Sequence, residues 1–157
     1  MSDFIIERIK RPDDRQSICL DILRTLPDWF GNEKAIVDYG QQCRALPLFA
    51  AYALGEAVGF AALKQHNEFT NEICVMGVKP EFRHKGIGSV LLAACEEACR
   101  AEGVRFLTVK TLADSHPDEG YAQTRAFYRA MSFAPLEVFP LHWDEANPCL
   151  LMVKYLG

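Results

Sequence analysis

The chain lacks an apolar run long enough to cross a bilayer. Its richest apolar stretch, residues 48–63, is interrupted at Gly55-Glu56, whereas a membrane helix needs roughly 20 consecutive apolar residues. The opening MSDFIIERIKRPDD has no sustained apolar core after a basic start and no small-residue cleavage site, so it does not read as a secretory signal. A cytoplasmic protein with no membrane partner is expected. Paired metal or redox motifs are missing too. The six cysteines (Cys19, Cys43, Cys74, Cys95, Cys99, Cys149) form no Cys-x-x-Cys, and His66, His84, His116 and His142 are scattered. Reduced, buried thiols and no metal site are expected. Basic excess is also absent: 17 Lys plus Arg stand against 21 Asp plus Glu, a formal charge of -4, which argues against a nucleic-acid partner. There are no repeats, linkers or low-complexity segments.

What is present is one globular unit. Its 157 residues, 50% apolar and 24% charged, suit a single domain spanning residues 1–157 that buries roughly two-thirds of its unfolded surface without disulfide or metal staples. Alternation predicts a strand over 4–9, and Pro12-Asp13-Asp14 a helix start, with helix over 17–26. A second helix covers 33–43 and ends before Pro47. Two apolar runs, 48–54 and 57–64, flank Gly55-Glu56 and read as a hairpin. A turn over 67–71, a strand over 72–78, a helix over 87–102 closed by Gly103 and a strand over 105–112 follow. A polar loop over 113–120 leads to a helix over 121–132. The last two strands, 136–143 and 149–155, flank a turn over 144–148.

The chemistry begins at Arg83-His84-Lys85-Gly86-Ile87-Gly88. Ile87, Val90, Leu91, Ala94, Cys95 and Ala98 follow helical spacing, so an amphipathic helix starts inside this motif. Basic residues there oppose the helix dipole, and a bound anion reverses that penalty. Two glycines allow a sharp turn with free N–H groups aimed at an oxyanion. The motif reads as a phosphate cradle or as a glycine-rich turn with solvated basic residues. It is not a Walker loop, since Ser89-Val90 follow the second glycine, nor a dinucleotide fingerprint, since Leu91 stands where a third glycine belongs.

With its preceding strand and following helix, the stretch Val78-Lys79-Pro80-Glu81-Phe82-Arg83-His84-Lys85-Gly86-Ile87-Gly88 resembles the acetyl-CoA-binding motif of the GNAT superfamily of N-acetyltransferases. The resemblance covers nearly the whole chain. It implies an α/β fold with a mixed, mostly antiparallel central sheet flanked by helices. It also implies acetyl-CoA as cofactor, with Met76 and Val78 running alongside the pantetheine arm and the amides of His84, Lys85, Gly86, Ile87, Gly88 and Ser89 around the pyrophosphate. Arg83 adds charge there. Gly77 in a strand is unfavourable, and a bulge, a close ligand approach or a packing gap explains it.

The segment Tyr121-Ala122-Gln123-Thr124-Arg125-Ala126-Phe127-Tyr128 is similar to the family's second cofactor helix, which implicates Thr124 and Phe127 in cofactor contacts. Helical spacing puts Tyr121, Thr124, Arg125 and Tyr128 on one polar face. Tyr128, at the family's thioester tyrosine, is either the general acid for the departing thiolate or an amphipathic core residue. Tyr121, Thr124 and Ser132 replace residues the family often has as Asn, Ala and Gly, and Ser132 is expected to take a left-handed conformation at a cost of about 1 kcal/mol. The acceptor amine must lose a proton. Period two puts Glu72, Cys74, Met76 and Val78 on one strand face, so Glu72 is either the base, directly or through water, or a solvated strand-end carboxylate.

Trp29 and Phe30, with Asp28 and Glu33, lie where the acceptor site is expected, as substrate contacts or packing anchors. Asp114, His116, Asp118 and Glu119 form an acidic loop that either holds a cation or is solvated surface. The expected activity is direct acetyl transfer from acetyl-CoA to an amine, of a small molecule by preference, with a protein amine as the other acceptor. The alternative is a non-catalytic acyl-CoA-binding or regulatory module. An exposed strand and the aromatics near Trp143 offer a surface for a homodimer.

Overall fold

A computed structural model describes residues 3–115 and 118–157. His116 of the acidic loop lies outside the described residues. The chain runs β1 (Ile5–Ile9), α1 (Pro12–Leu23), α2 (Glu33–Cys43), β2 (Leu48–Ala53), β3 (Glu56–Gln65), β4 (Thr70–Val78), a short 3-10 turn (Pro80–Phe82), α3 (Ile87–Ala101), β5 (Phe106–Leu112), α4 (Glu119–Ala130), β6 (Ala134–Asp144) and β7 (Asn147–Tyr155). The strands form one seven-stranded sheet in the order β1-β2-β3-β4-β5-β7-β6. Only β4 and β5 pair in parallel. No helix among the described residues is long and apolar enough to cross a membrane.

The apolar runs of β2 and β3 are explained by burial on both faces. Leu48, Ala50, Phe60 and Ala62 meet α1 and α2 through Ile22, Leu23 and Cys43. Phe49, Ala51, Val58 and Ala61 meet α3 through Leu91, Leu92 and Cys95. Five of the cysteines are buried, but Cys74 is partly exposed, and all six are free thiols.

Local chemistry moves several boundaries. The hairpin turn is Leu54-Gly55, not Gly55-Glu56, because both turn residues have positive φ (54° and 78°) while Glu56 already pairs with Ala53. Thr70 and Asn71 belong to β4 rather than to a turn, since they pair with Phe106 and Leu107. The α1 helix runs the full length from Pro12 to Leu23 and then unwinds. The α4 helix starts at Glu119, because the Asp118 carboxylate caps it by accepting from the Tyr121 N–H at 3.1 Å. At the last hairpin, Asp144 pairs with Asn147, which shortens the expected turn to residues 145–146.

The most consequential departure is in β4. Val75 faces Ala62 and Ile73 faces Leu63, so Cys74 is one extra residue, a bulge. The bulge reverses the side-chain alternation. Ile73, Met76 and Val78 point toward α3. Val75 packs with the α1 and α2 cluster, and a Cβ at Gly77 would lie 2.9 Å from Leu26 and 3.3 Å from Ile22. Gly77 is therefore required by the close packing of α1, while the bulge sits three positions earlier.

Candidate active site

Beyond the 3-10 turn, the chain makes a short left-handed excursion. His84 has φ 59° and Gly86, the residue preceding α3, has φ 82°. A Cβ at Gly86 would meet nothing within 4 Å, so the backbone conformation and not crowding calls for glycine there. The first helical bond of α3 is Val90 N–H to Gly86 carbonyl. Among the described residues, none of the amides of residues 84–89 donates to a backbone carbonyl. No side chain caps the helix and its first turn holds no acid. Free amides, the positive end of the helix dipole, Arg83 and Lys85 together make an anion-binding nest.

The nest opens onto a cavity of about 440 Å³. Its origin is topological: β4 and β5 pair only where Thr70, Asn71 and Glu72 face Phe106, Leu107 and Thr108, and they part beyond that point. The cavity fills the gap and reaches both sheet faces. Met76, Val78, Ile87, Gly88, Phe127 and Tyr128 line it on the α3 side, and Leu26, Trp29, Phe30, Tyr39, Val75 and Lys110 on the other. Thr111 also lines it, buried, with its hydroxyl oxygen unpartnered among the described residues.

Glu72 does not share a face with Met76 and Val78, because the Cys74 bulge lies between them. It is also not solvated: only 7% exposed, it places Oε1 2.6 Å from His66 Nε2 and 3.2 Å from Lys110 Nζ. Among the described residues no Asp or Glu lines the cavity. Glu72 stands behind Lys110, which does.

The α4 face expected to be polar is mostly a packing face. Arg125 is buried and donates to the Leu112 and Ala113 carbonyls at 2.7 and 3.3 Å, with its Nε 2.9 Å from Asp114. Tyr128 packs edge-on between Phe127 (5.3 Å) and Phe133 (5.5 Å). Burial, with a smaller contribution from Cys95, pushes its phenol well above the usual value. It stays protonated. The helix ends as expected, with Ser132 left-handed at φ 75° and Phe133 N–H donating to the Tyr128 carbonyl.

Trp29 is pinned from three directions. Its indole N–H donates to Thr124 Oγ1 at 3.2 Å, its carbonyl accepts from the Tyr121 hydroxyl at 3.1 Å, and the Arg83 guanidinium lies over its ring. Phe30 meets Tyr39 in a T-shaped contact at 5.9 Å. Both aromatics line the cavity and anchor the α1–α2 connection. Glu33 pairs with Arg24, Asp114 with Arg125 and Arg129, and Asp118 caps α4.

A family profile described as the acetyltransferase (GNAT) family matches residues 17–133, well over half of the chain. The chain belongs to the GNAT acetyltransferase family. Its fold is shared with a GNAT acetyltransferase from Elizabethkingia anophelis with acetyl-CoA bound (17% identity, 99% of each chain covered, TM-score 0.74). It is shared equally with the aminoglycoside 6'-N-acetyltransferase of Enterococcus faecium (20% identity, 98% of this chain and 97% of that one, TM-score 0.75). A third, the ribosomal-protein-S18-alanine N-acetyltransferase of Escherichia coli, is 16% identical over 98% of this chain and 94% of its own, with a TM-score of 0.76. No curated protein matches the chain.

The cavity is also lined by residues that motif reading passes over. Lys110 and Thr111 sit in a strand that reads as core, and Tyr39 sits on an unremarkable amphipathic helix. Burial pushes the Tyr39 phenol up to about 12 and the Cys74 thiol up to about 11, with the Glu72 charge adding to the latter. The one available signal was a lysine amid the apolar run of β5.

Proposed function

We propose that this GNAT acetyltransferase is an acetyl-CoA-dependent N-acetyltransferase that acts directly on the amine of a small molecule. The observation that carries the reading is the row of free amides at the start of α3, opening straight into the gap between β4 and β5. The residues present fit acetyl-CoA, which supplies the acetyl group as an activated thioester. The amides of residues 84–89, with Arg83 and Lys85, hold the pyrophosphate. Beyond Glu72 the β5-facing edge of β4 has no strand partner, so Met76 and Val78 offer their backbone to the pantetheine arm as a neighbouring strand would. Gly88 lies against Phe127, 3.2 Å from where its Cβ would be, which seats α3 and α4 together around the cofactor.

As the amine N–C bond forms, the C–S bond breaks and the sulfur takes a proton. Tyr128, kept protonated by its surroundings, would donate a hydrogen bond to that sulfur, or its proton with one returned to the phenol from water. The proton lost by the amine passes to water, since no carboxylate among the described residues faces the cavity. Positioning supplies most of the acceleration. A cavity of about 440 Å³ walled by Trp29, Tyr39 and Tyr121 is of small-ligand size, which favours a small amine over a protein chain. Thiol release from acetyl-CoA, measured with and without a panel of amines, tests this. Amine-dependent release supports the reading, and binding of CoA with no transfer to any amine replaces it with a binding module.

A further inference from the structure

We propose that the acceptor is an amine that also carries a carboxylate, held by Lys110, and that polycationic amines are poor substrates; this rests on the acetyltransferase reading above. The acceptor half of the cavity, on the α1 and α2 side, is walled by Trp29, Phe30, Tyr39, Tyr121 and Cys74; Lys110 is a cation on that side, and Arg83, stacked on the Trp29 ring, is the one assigned above to the pyrophosphate. A polycation is recognised by carboxylates, and among the described residues the cavity lining has none. Of the acids nearby in sequence, Glu33 is turned to Arg24 and Asp114 to Arg125, and Asp28 is exposed and does not line the cavity.

Lys110 itself is built as a fixed donor. Its side chain is 28% exposed, and Glu72, whose side chain is 9% exposed, holds it from behind at 3.2 Å. The same Glu72 oxygen is 2.6 Å from His66, which fixes the carboxylate in turn. An ammonium has three N–H donors, and Glu72 uses one. Lys110 lines the cavity together with Trp29, Tyr39 and Tyr121, and a charge-assisted hydrogen bond from its ammonium to a carboxylate is stronger than a neutral one. The ring walls suit an apolar or aromatic body. The site thus fits a small amino-carboxylic compound with an apolar side chain.

The test uses the full chain with acetyl-CoA and four acceptors: phenylalanine, phenylalanine methyl ester, 2-phenylethylamine and spermidine. Phenylalanine should exceed each of the others by about tenfold in kcat/KM, through KM, the scale expected for one charge-assisted hydrogen bond. Lys110→Met should abolish that preference, and Lys110→Met/Glu72→Gln, which leaves no unpaired buried carboxylate, should do so in a well-folded protein. Equal or better use of the ester or of spermidine overturns the inference, as does a preference that survives either variant, or acetylation of none of the four. Calorimetric titration of CoA separates this from the parent reading. CoA binding with the wrong acceptor preference removes only the carboxylate proposal, whereas no CoA binding removes the acetyltransferase reading and this one with it.

Discussion

The guanidinium of Arg83 lies 4.1 Å from the centre of the Trp29 ring. The residue placed to meet the pyrophosphate is thus stacked on the residue that seals the α1–α2 connection to α4. Both tryptophans of the chain, Trp29 and Trp143, line the cavity. Engagement of a phosphate by Arg83 should therefore change tryptophan fluorescence on CoA titration, and Trp29→Phe should remove most of the change. CoA affinity should weaken with added salt, and Arg83→Ala should flatten that dependence. Salt-independent binding would mean that Arg83 only packs.

Tyr128→Phe keeps the ring against Phe127 and Phe133 but removes the hydroxyl. With an acetylated amine in hand, kcat should fall by about tenfold or more while CoA affinity stays within about threefold. Unchanged kcat would make Tyr128 structural. Joint loss of affinity, rate and thermal stability would make it a core anchor.

Gly77 tests packing against ligand approach. A Cβ there would lie 2.9 Å from a Leu26 methyl, so Gly77→Ala should cost about 1–3 kcal/mol of stability by overpacking, read by denaturant unfolding. CoA affinity of the folded variant should be unchanged. A variant of normal stability with weakened CoA binding would return Gly77 to the cofactor.

Buried thiols and two buried phenols set the alkaline behaviour. Burial raises Tyr39 to about 12 and Tyr128 further, against an ordinary value near 10. A raised folded-state value leaves stability intact below the unfolded value and removes it as pH climbs from there through the folded one. Because the buried thiols are raised as well, from an ordinary value near 8.5, melting temperature should hold to about pH 8.5 and then fall, and Tyr39→Phe should shallow the part of the fall above about pH 10. Because Tyr128 keeps its proton, its titration should impose no loss of kcat below about pH 10. A stability loss centred near neutral pH would contradict the assignment.

Much of the fold could be read from the chain because its elements are locally consistent. The second helix carries both its cap, Asn32, and its apolar stripe, and its expected bounds match those of α2, Glu33–Cys43. The strand-to-helix turn before α3 was legible because the glycines and the helical apolar stripe after them agree on where the helix starts. The face of Glu72 was not legible. Alternation is a rule for unbroken strands, and nothing in Ile73-Cys74-Val75 announces a bulge that depends on how β3 pairs with β4. Lys110 was hidden for a related reason, since its exposure depends on β4 and β5 parting, a tertiary event. In the acidic loop, Asp114 is paired with Arg125 and Arg129 and Asp118 caps α4, contacts that loop composition alone does not reveal.

The most direct measurement is calorimetric titration of coenzyme A into the wild-type protein and Gly88→Asp, with melting curves to verify folding. Gly88 has helical backbone and lies at the first turn of α3, so the substitution requires no positive φ; its side chain starts against Phe127, 3.2 Å from the Cβ position, and brings bulk and a negative charge beside the nest. The account predicts that wild type binds CoA and that Gly88→Asp binds at least about tenfold more weakly, about 1.4 kcal/mol. Equal affinity in a folded Gly88→Asp protein, or no CoA binding by wild type, would contradict it.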